Sequence, residues 1–212
     1  MKKNIPMNRA ILFLSLMILG FFLCAQTAGK HAANGFSLAT QGKYAEAVEE
    51  YDKAIRINRN NARFHYYRGI CLFELGEYGE SVQSYSYAIL IESGNHLYYW
   101  NRGKSYASMD FHEDAIDDFT DAIRLKDDTG EYFYYRGISK AALGDHVWAI
   151  EDFDKAIERE NRVGDYYRSR GECLVALGKV NQACQDFQLA AERSAFNANY
   201  FLKKHCQGNP KK

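Results

Sequence analysis

The side chains of this chain that could hold a metal or carry acid–base and nucleophilic chemistry are its six histidines, five cysteines and 27 acidic residues. The histidines are His31, His65, His96, His112, His146 and His205. No His-x-x-x-His and no Cys-x-x-Cys occurs, so the ligand spacing of a zinc-type site is missing. His112 and His146 share one place 34 residues apart, but they stand where Tyr44 and Tyr78 stand, as substitutes for a turn aromatic. The acidic pairs Glu49-Glu50, Asp117-Asp118 and Glu151-Asp152 recur on helical faces, where solvation accounts for them. There is neither a glycine-rich phosphate loop nor a Gly-x-Ser-x-Gly elbow. These spacings argue against an enzyme, a bound metal or a small-molecule cofactor.

One charged column does invite a binding role: Arg68, Arg102, Arg136 and Arg170, whose guanidinium forks suit carboxylate or phosphate. Asp118, Asp152 and Asp186 stand as far after an intervening turn as the last three arginines stand before it. Facing helices therefore bring each pair together in a charge-assisted bond. Ser84 takes that place opposite Arg68, which leaves Arg68 as the member free to reach a ligand.

The arginine column belongs to a wider repeat. Gly69, Gly103, Gly137 and Gly171 each follow the last by 34 residues, and three further columns keep the same interval. They are Ala47, Ser81, Ala115, Ala149 and Ala183; Tyr51, Tyr85, Phe119, Phe153 and Phe187; and Ala54, Ala88, Ala122, Ala156 and Ala190. Each unit divides around a turn signal, as at Gly42-Lys-Tyr44, Gly76-Glu-Tyr78, Gly144-Asp145 and Gly178-Lys179, where glycine can take the left-handed conformation that ends a helix. Tyr44, Ala47, Val48, Tyr51, Ala54 and Ile55 recur at three- and four-residue spacing, one apolar helical face. The unit is thus helix, turn, helix. The glycines are expected to meet the alanines of the second helix, where two helices approach within about 8–10 Å, with the aromatics filling space towards the next unit.

The interval and the small, small, aromatic, small order resemble the tetratricopeptide repeat family over roughly residues 28–195. The resemblance implies an all-α, right-handed superhelical solenoid of antiparallel helix pairs, with about five units near 28–61, 62–95, 96–129, 130–163 and 164–195. The first helix of the first unit is degenerate, with Asn34-Gly35 but no Tyr-Tyr before it, and the third unit has Asp110-Phe111 in place of the usual turn. Residues 196–207 form a short amphipathic stretch that would cap the exposed end of the stack, and 208–212 remain as a tail.

In that family the first helices of successive repeats line a concave groove that holds an extended peptide or helix of a partner protein. Matching positions here are Arg63, Tyr66, Ile70 and Phe73, then Trp100, Asn101 and Lys104, then Tyr134, Tyr135 and Ile138, and last Arg168 and Glu172. The two-lysine, two-asparagine carboxylate clamp of chaperone-binding members is missing, because its places hold Tyr66, Ile70, Asn101, Glu131 and Tyr135. Aromatics with a few arginines are the composition of interface hot spots. The same rings have another use, packing on one another between repeats.

Composition narrows the partner. Basic and acidic residues are equal at 27 each, which gives no excess positive charge to neutralise a nucleic acid. Proline occurs only at Pro6 and Pro210, so nothing between them breaks a helix. Lys2, Lys3 and Arg9 precede an apolar run from Ala10 to Leu23, a pattern that predicts an export signal over residues 1–25, cut after Ala25. An uncleaved membrane anchor and lipidation at Cys24 are the alternatives. After cleavage 24 basic residues stand against 27 acidic ones, a mild negative charge that opposes a polybasic membrane-surface role. An exported chain meets an oxidising compartment. Cys184 and Cys206 lie about ten residues on either side of the turn at Ser194-Ala195-Phe196, and a disulfide between them is expected. Cys71 and Cys173 recur at one repeat position as small buried hydrophobes. The expectation is a non-enzymatic scaffold in the periplasm or cell envelope, with a glycan-binding component and an assembly chaperone as rivals.

Overall fold

The computed structural model describes residues 9–206, and eleven α-helices with no strand make up these described residues. Residues 1–8 of the expected export segment and the tail lie outside them. The chain divides into two compact units, one ending at Ser93 and one starting at Gly94. The first holds α1 (Arg9–Thr40), α2 (Tyr44–Ile57), α3 (Ala62–Glu74) and α4 (Tyr78–Ile91). The second holds α5 (His96–Ser108), α6 (His112–Leu125), α7 (Gly130–Ala142), α8 (His146–Arg159), α9 (Gly164–Ala176), α10 (Val180–Glu192) and the short α11 (Ala198–His205). In both units each odd-numbered helix packs against the even-numbered one that follows, and hairpins within a unit stack in sequence. The apolar run and the first helix of the first hairpin form one unbroken helix, and the expected cleavage point after Ala25 falls inside it.

Every hairpin turns in the same way. The residue after the glycine donates its amide back five positions, as in Lys43 to Leu38, Glu77 to Leu72, Asp145 to Lys140 and Lys179 to Leu174, at 2.8–3.0 Å. This closing bond requires a left-handed residue after the helix. Gly42, Gly76, Gly144 and Gly178 supply it with φ between 73° and 86°. In the third hairpin Asp110 takes the same conformation at φ 62°, and Phe111 makes the same bond to Tyr106 at 3.0 Å. The turn is kept although the glycine is not.

The core consists of the repeated columns. Tyr51, Tyr85, Phe119, Phe153 and Phe187 are at most 1% exposed, and the alanines beside them are closed to solvent. The glycines meet the small column, with Ser81 Oγ donating to the Gly69 carbonyl at 2.9 Å, and they also make room for a second neighbour. A Cβ built on Gly69, Gly103, Gly137 or Gly171 would lie 2.6–2.9 Å from the ring of Tyr85, Phe119, Phe153 or Phe187, sixteen residues later in the same hairpin. The aromatic column thus faces back across its own hairpin onto the glycines. The alanines look towards the following unit: Ala47 and Tyr51 pack on Cys71, and Ala149 and Phe153 on Cys173. Gly35 lies against Tyr51 in the same fashion, so the first hairpin keeps the packing despite its degenerate sequence.

Candidate functional site

The arginine column is structural throughout. Arg102 donates two hydrogen bonds to Asp118, Arg136 two to Asp152 and Arg170 two to Asp186, all between 2.6 and 2.9 Å. Each carboxylate is at most 3% exposed, so the fork geometry is what makes its burial tolerable. Asp152 also takes the Lys140 ammonium at 2.7 Å. Arg68 is not the free member that the sequence suggested. Its Nε donates to Asp52 of the preceding hairpin at 2.7 Å and its Nη1 to Ser84 Oγ at 2.7 Å. The same backward reach joins Arg136 to Thr120 and Arg170 to Asp154. The residue sixteen positions before each of these arginines therefore completes its clasp.

In the first unit the face formed by α1 and α3 carries an open pocket of about 420 Å³. Gly29, Ala32 and Ala33 leave room on the α1 side, where larger side chains would close it. Phe36, Phe64, Tyr67 and Tyr51 supply the apolar walls, and Asn61 and Arg63 stand at the rim. Phe36 is 55% exposed and meets Tyr67 edge-on at 6.1 Å. Arg63 is exposed at the start of α3, and its guanidinium meets no carboxylate among the described residues. Asn61 caps the same helix by accepting the Arg63 amide at 3.1 Å. Tyr66 leans on Tyr67 and Tyr85, Ile70 is partly buried, and Phe73 packs on Tyr78 at 5.3 Å. Of the four groove residues expected here, Arg63 alone lines the pocket. Gly29, Ala32, Ala33 and Phe36 escaped the sequence reading because α1 lacks the paired tyrosines of the other first helices, although Gly35 keeps the 34-residue register with Gly69.

In the second unit the expected groove residues lie along α5, α7 and α9, and their rings are packed on one another. Trp100 is half-buried, 5.6 Å from Tyr132 and 6.2 Å from Tyr135 between ring centroids, and its indole N–H has no acceptor among the described residues. The Lys104 ammonium stands 4.6 Å over the Trp100 ring, a cation–π arrangement. Tyr134 touches Tyr135, Phe153 and, at 4.9 Å, Tyr166. Asn101 turns its amide into its own helix, donating to the Leu97 carbonyl at 2.8 Å. Ile138 joins the cluster around Phe153. Arg168 is held between Asp165 and Glu172. Burial raises the Glu131 carboxyl above its ordinary range against the opposing pull of Lys104. The charges of this face are thus mostly spent on each other.

Cys184 and Cys206 are joined in a disulfide with their Cα atoms 5.7 Å apart. It ties α11 to α10, where Phe201 stacks on Phe187 at 5.2 Å and, with Leu202, covers the last apolar layer. Cys71 and Cys173 are free thiols, buried, and burial pushes both up to about 11, which keeps them protonated and inert.

Residues 37–72 match the family model of the TPR repeat. Curated protein sequences give no match. Among solved structures, a crystal structure of MamA is similar with a TM-score of 0.73 at 23% identity, over 76% of this chain and 94% of that one. MamA of Desulfovibrio magneticus RS-1, from residue 41 to its end, gives 0.77 at 17% identity, over 79% and 95%. YrrB, described as a TPR protein with an unusual peptide-binding site, gives 0.73 at 17% identity, over 82% and 90%. At these identities the likeness is one of fold. With one TPR repeat recognised over residues 37–72 and hairpins of 34-residue period along its structure, the chain has the fold of a tetratricopeptide-repeat solenoid.

Proposed function

We propose that the chain is an exported, non-enzymatic scaffold that holds a peptide or helix of a partner protein against the first helices of its hairpins. The observation that carries this reading is the pocket between α1 and α3, where exposed Phe36 and Arg63 offer an aromatic wall and an uncommitted guanidinium side by side. An aromatic with an arginine at its edge is a favourable anchor for a protein segment. The peptide-binding site reported for YrrB, a protein of the same fold, supports the same role. The ring ladder of Trp100, Tyr134 and Tyr135 gives the second unit a stiff aromatic surface, and its contribution is to shape the face rather than to offer free side chains. Export to the periplasm or envelope is supported by the basic residues and apolar run at the N-terminus and by the disulfide, which suits an oxidising compartment.

The test is quantitative pull-down from an envelope extract with the wild-type chain and with Phe36→Ala and Arg63→Glu variants. Both replaced side chains are exposed, so unchanged circular dichroism melts will show that the fold is kept. One defined protein held by the wild type and lost by both variants is the expected result. Retention of every bound protein by the variants sinks the groove reading. Loss of many unrelated proteins would point to a chaperone, and capture on glycan beads to a sugar-binding component. Export is checked by the mass of the mature chain, expected to begin at Gln26.

A further inference from the structure

The second helices of the first unit carry another groove, and its composition follows from what is missing there. In α7 and α9 the aromatic near the start of the helix is sealed from outside by a cation at the end of the following helix. Arg159 lies 5.8 Å from the Phe133 ring centre and donates to the Asp127 carbonyl at 3.0 Å, with Lys155 5.6 Å over the same ring. Arg193 lies 4.8 Å over Tyr167 and donates to the Asn161 carbonyl at 2.9 Å. These arginines stand at one repeat position, which is Leu125 in the hairpin of α5 and α6 and Ile91 in the first unit. There the ring is His65, whose Nε2 itself donates to the Arg59 carbonyl at 2.9 Å, and the place of Lys155 is taken by Tyr87, 5.4 Å from the imidazole. Apolar Ile91 and aromatic Tyr87 thus stand where the α7 hairpin has Arg159 and Lys155.

The result is an open groove of about 470 Å³ between α2 and α4, walled by Ile55, His65, Tyr87, Leu90 and Ile91. Tyr87 is 57% and Leu90 80% exposed, far more than a soluble surface helix needs. Arg56 and Arg59 flank the groove, both exposed, and neither meets a carboxylate among the described residues. Apolar walls with two uncommitted guanidinium groups at the rim are complementary to one kind of occupant. We propose that this groove is a second docking site, for an acidic amphipathic segment of a partner protein whose apolar side chains enter between α2 and α4 while its carboxylates meet Arg56 and Arg59. The site is separate from the pocket between α1 and α3 and stands whether or not that pocket binds a peptide.

The experiment is fluorescence anisotropy of the full chain with a fluorescein-labelled helical peptide bearing a stripe of leucines flanked by glutamates, set against the same peptide with lysines in place of the glutamates. The glutamate peptide binds the wild type about tenfold more tightly than the lysine peptide, and about tenfold more weakly to the Arg56→Glu, Arg59→Glu double variant. Leu90→Ser weakens it as well, while Arg162→Glu, an exposed position of the second unit, leaves it unchanged. Equal binding of the two peptides, or indifference to the double charge reversal, overturns the proposal. So does self-association abolished by Leu90→Ser in sedimentation, which would assign the groove to a second copy. Flotation with phosphatidylglycerol vesicles that depends on Arg56 and Arg59, without peptide binding, would assign it to a membrane and refute the proposal equally.

Discussion

Replacing the repeat glycines by alanine sets two effects of known size against each other. Each glycine is inside a helix, where alanine is favoured by about 1 kcal/mol. Against this stands the new methyl group, which meets a buried ring. At Gly69 the Cβ would lie 2.6, 2.9 and 3.0 Å from three carbons of Tyr85, inside contact distance on every side, and the ring has no free space to retreat into at 0% exposure. Overpacking of this kind costs about 1–3 kcal/mol, and at the tightest of these contacts the upper part of that range applies, so Gly69→Ala should lose about 1–2 kcal/mol net. At Gly35 the approach to Tyr51 is 3.1 Å, and a shift of a few tenths of an ångström relieves it. There the helical preference offsets the contact, and Gly35→Ala should fall within about 0.5 kcal/mol of wild type. Gly171, Gly137 and Gly103, at 2.7, 2.8 and 2.9 Å from their rings, should order between these limits. Urea denaturation followed by circular dichroism gives the ranking, and amide exchange of the affected hairpin localises it. Equal losses for Gly35→Ala and Gly69→Ala would refute the reasoning, since the helical gain is common to both and only the ring distance differs.

Three further outcomes follow from other features. Opening the Cys184–Cys206 bridge frees a loop of 22 residues, a chain-entropy change of about 3 kcal/mol, and Cys206→Ser should lose amide protection in α11 first, with α9 little affected. Hydrogen bonds from Lys53 and then His31 hold the Glu50 carboxyl at about 2, below its ordinary 4.5, so this clasp stabilises the fold above that ordinary value and loses its effect as pH falls towards the lower one. The urea midpoint of wild type should accordingly exceed that of Glu50→Gln at about pH 6 and converge with it at about pH 2. Asp110→Gly should raise stability by about 0.5–1 kcal/mol in the same assay, because the left-handed φ of 62° is unfavourable for any residue with a Cβ.

The repeat period, the hairpins and the Arg–Asp pairs were legible because each depends on residues that share one hairpin or one column. Gly103 meets Phe119 at the same sixteen-residue offset that joins Arg102 to Asp118, so adjacent residues of one helix meet adjacent residues of the other. Pairing small with small captured the approach of Ser81 to Gly69 but left out the ring beside it. The second partner of each arginine was less accessible. Asp52, Thr120 and Asp154 form a column at the repeat interval, but their role depends on which second helix of the preceding hairpin lies beside the arginine, and this is a matter of stacking. The pocket between α1 and α3 was hidden for a related reason. Apart from Phe36 its walls on α1 are glycine and alanine, which carry no signal of function, and they matter only because Phe64 and Tyr67 of α3 stand across from them. The ring ladder shows the opposite case: Trp100 and Tyr134 look like free anchors in the sequence, and their neighbours one repeat away occupy their faces.

The double reach of the arginines bears on how such a chain can change length. Arg136 holds Asp152 ahead and Thr120 behind, while Arg170 holds Asp186 ahead and Asp154 behind. Excising residues 130–163, one whole period, would set Arg170 down beside Thr120, where a hydroxyl already serves a guanidinium. Removing a number of residues that is not a multiple of 34 would put the rearward and the forward contacts out of step. The clasp is therefore a ratchet on inheritance: whole hairpins can be copied or dropped, and fractions of them cannot.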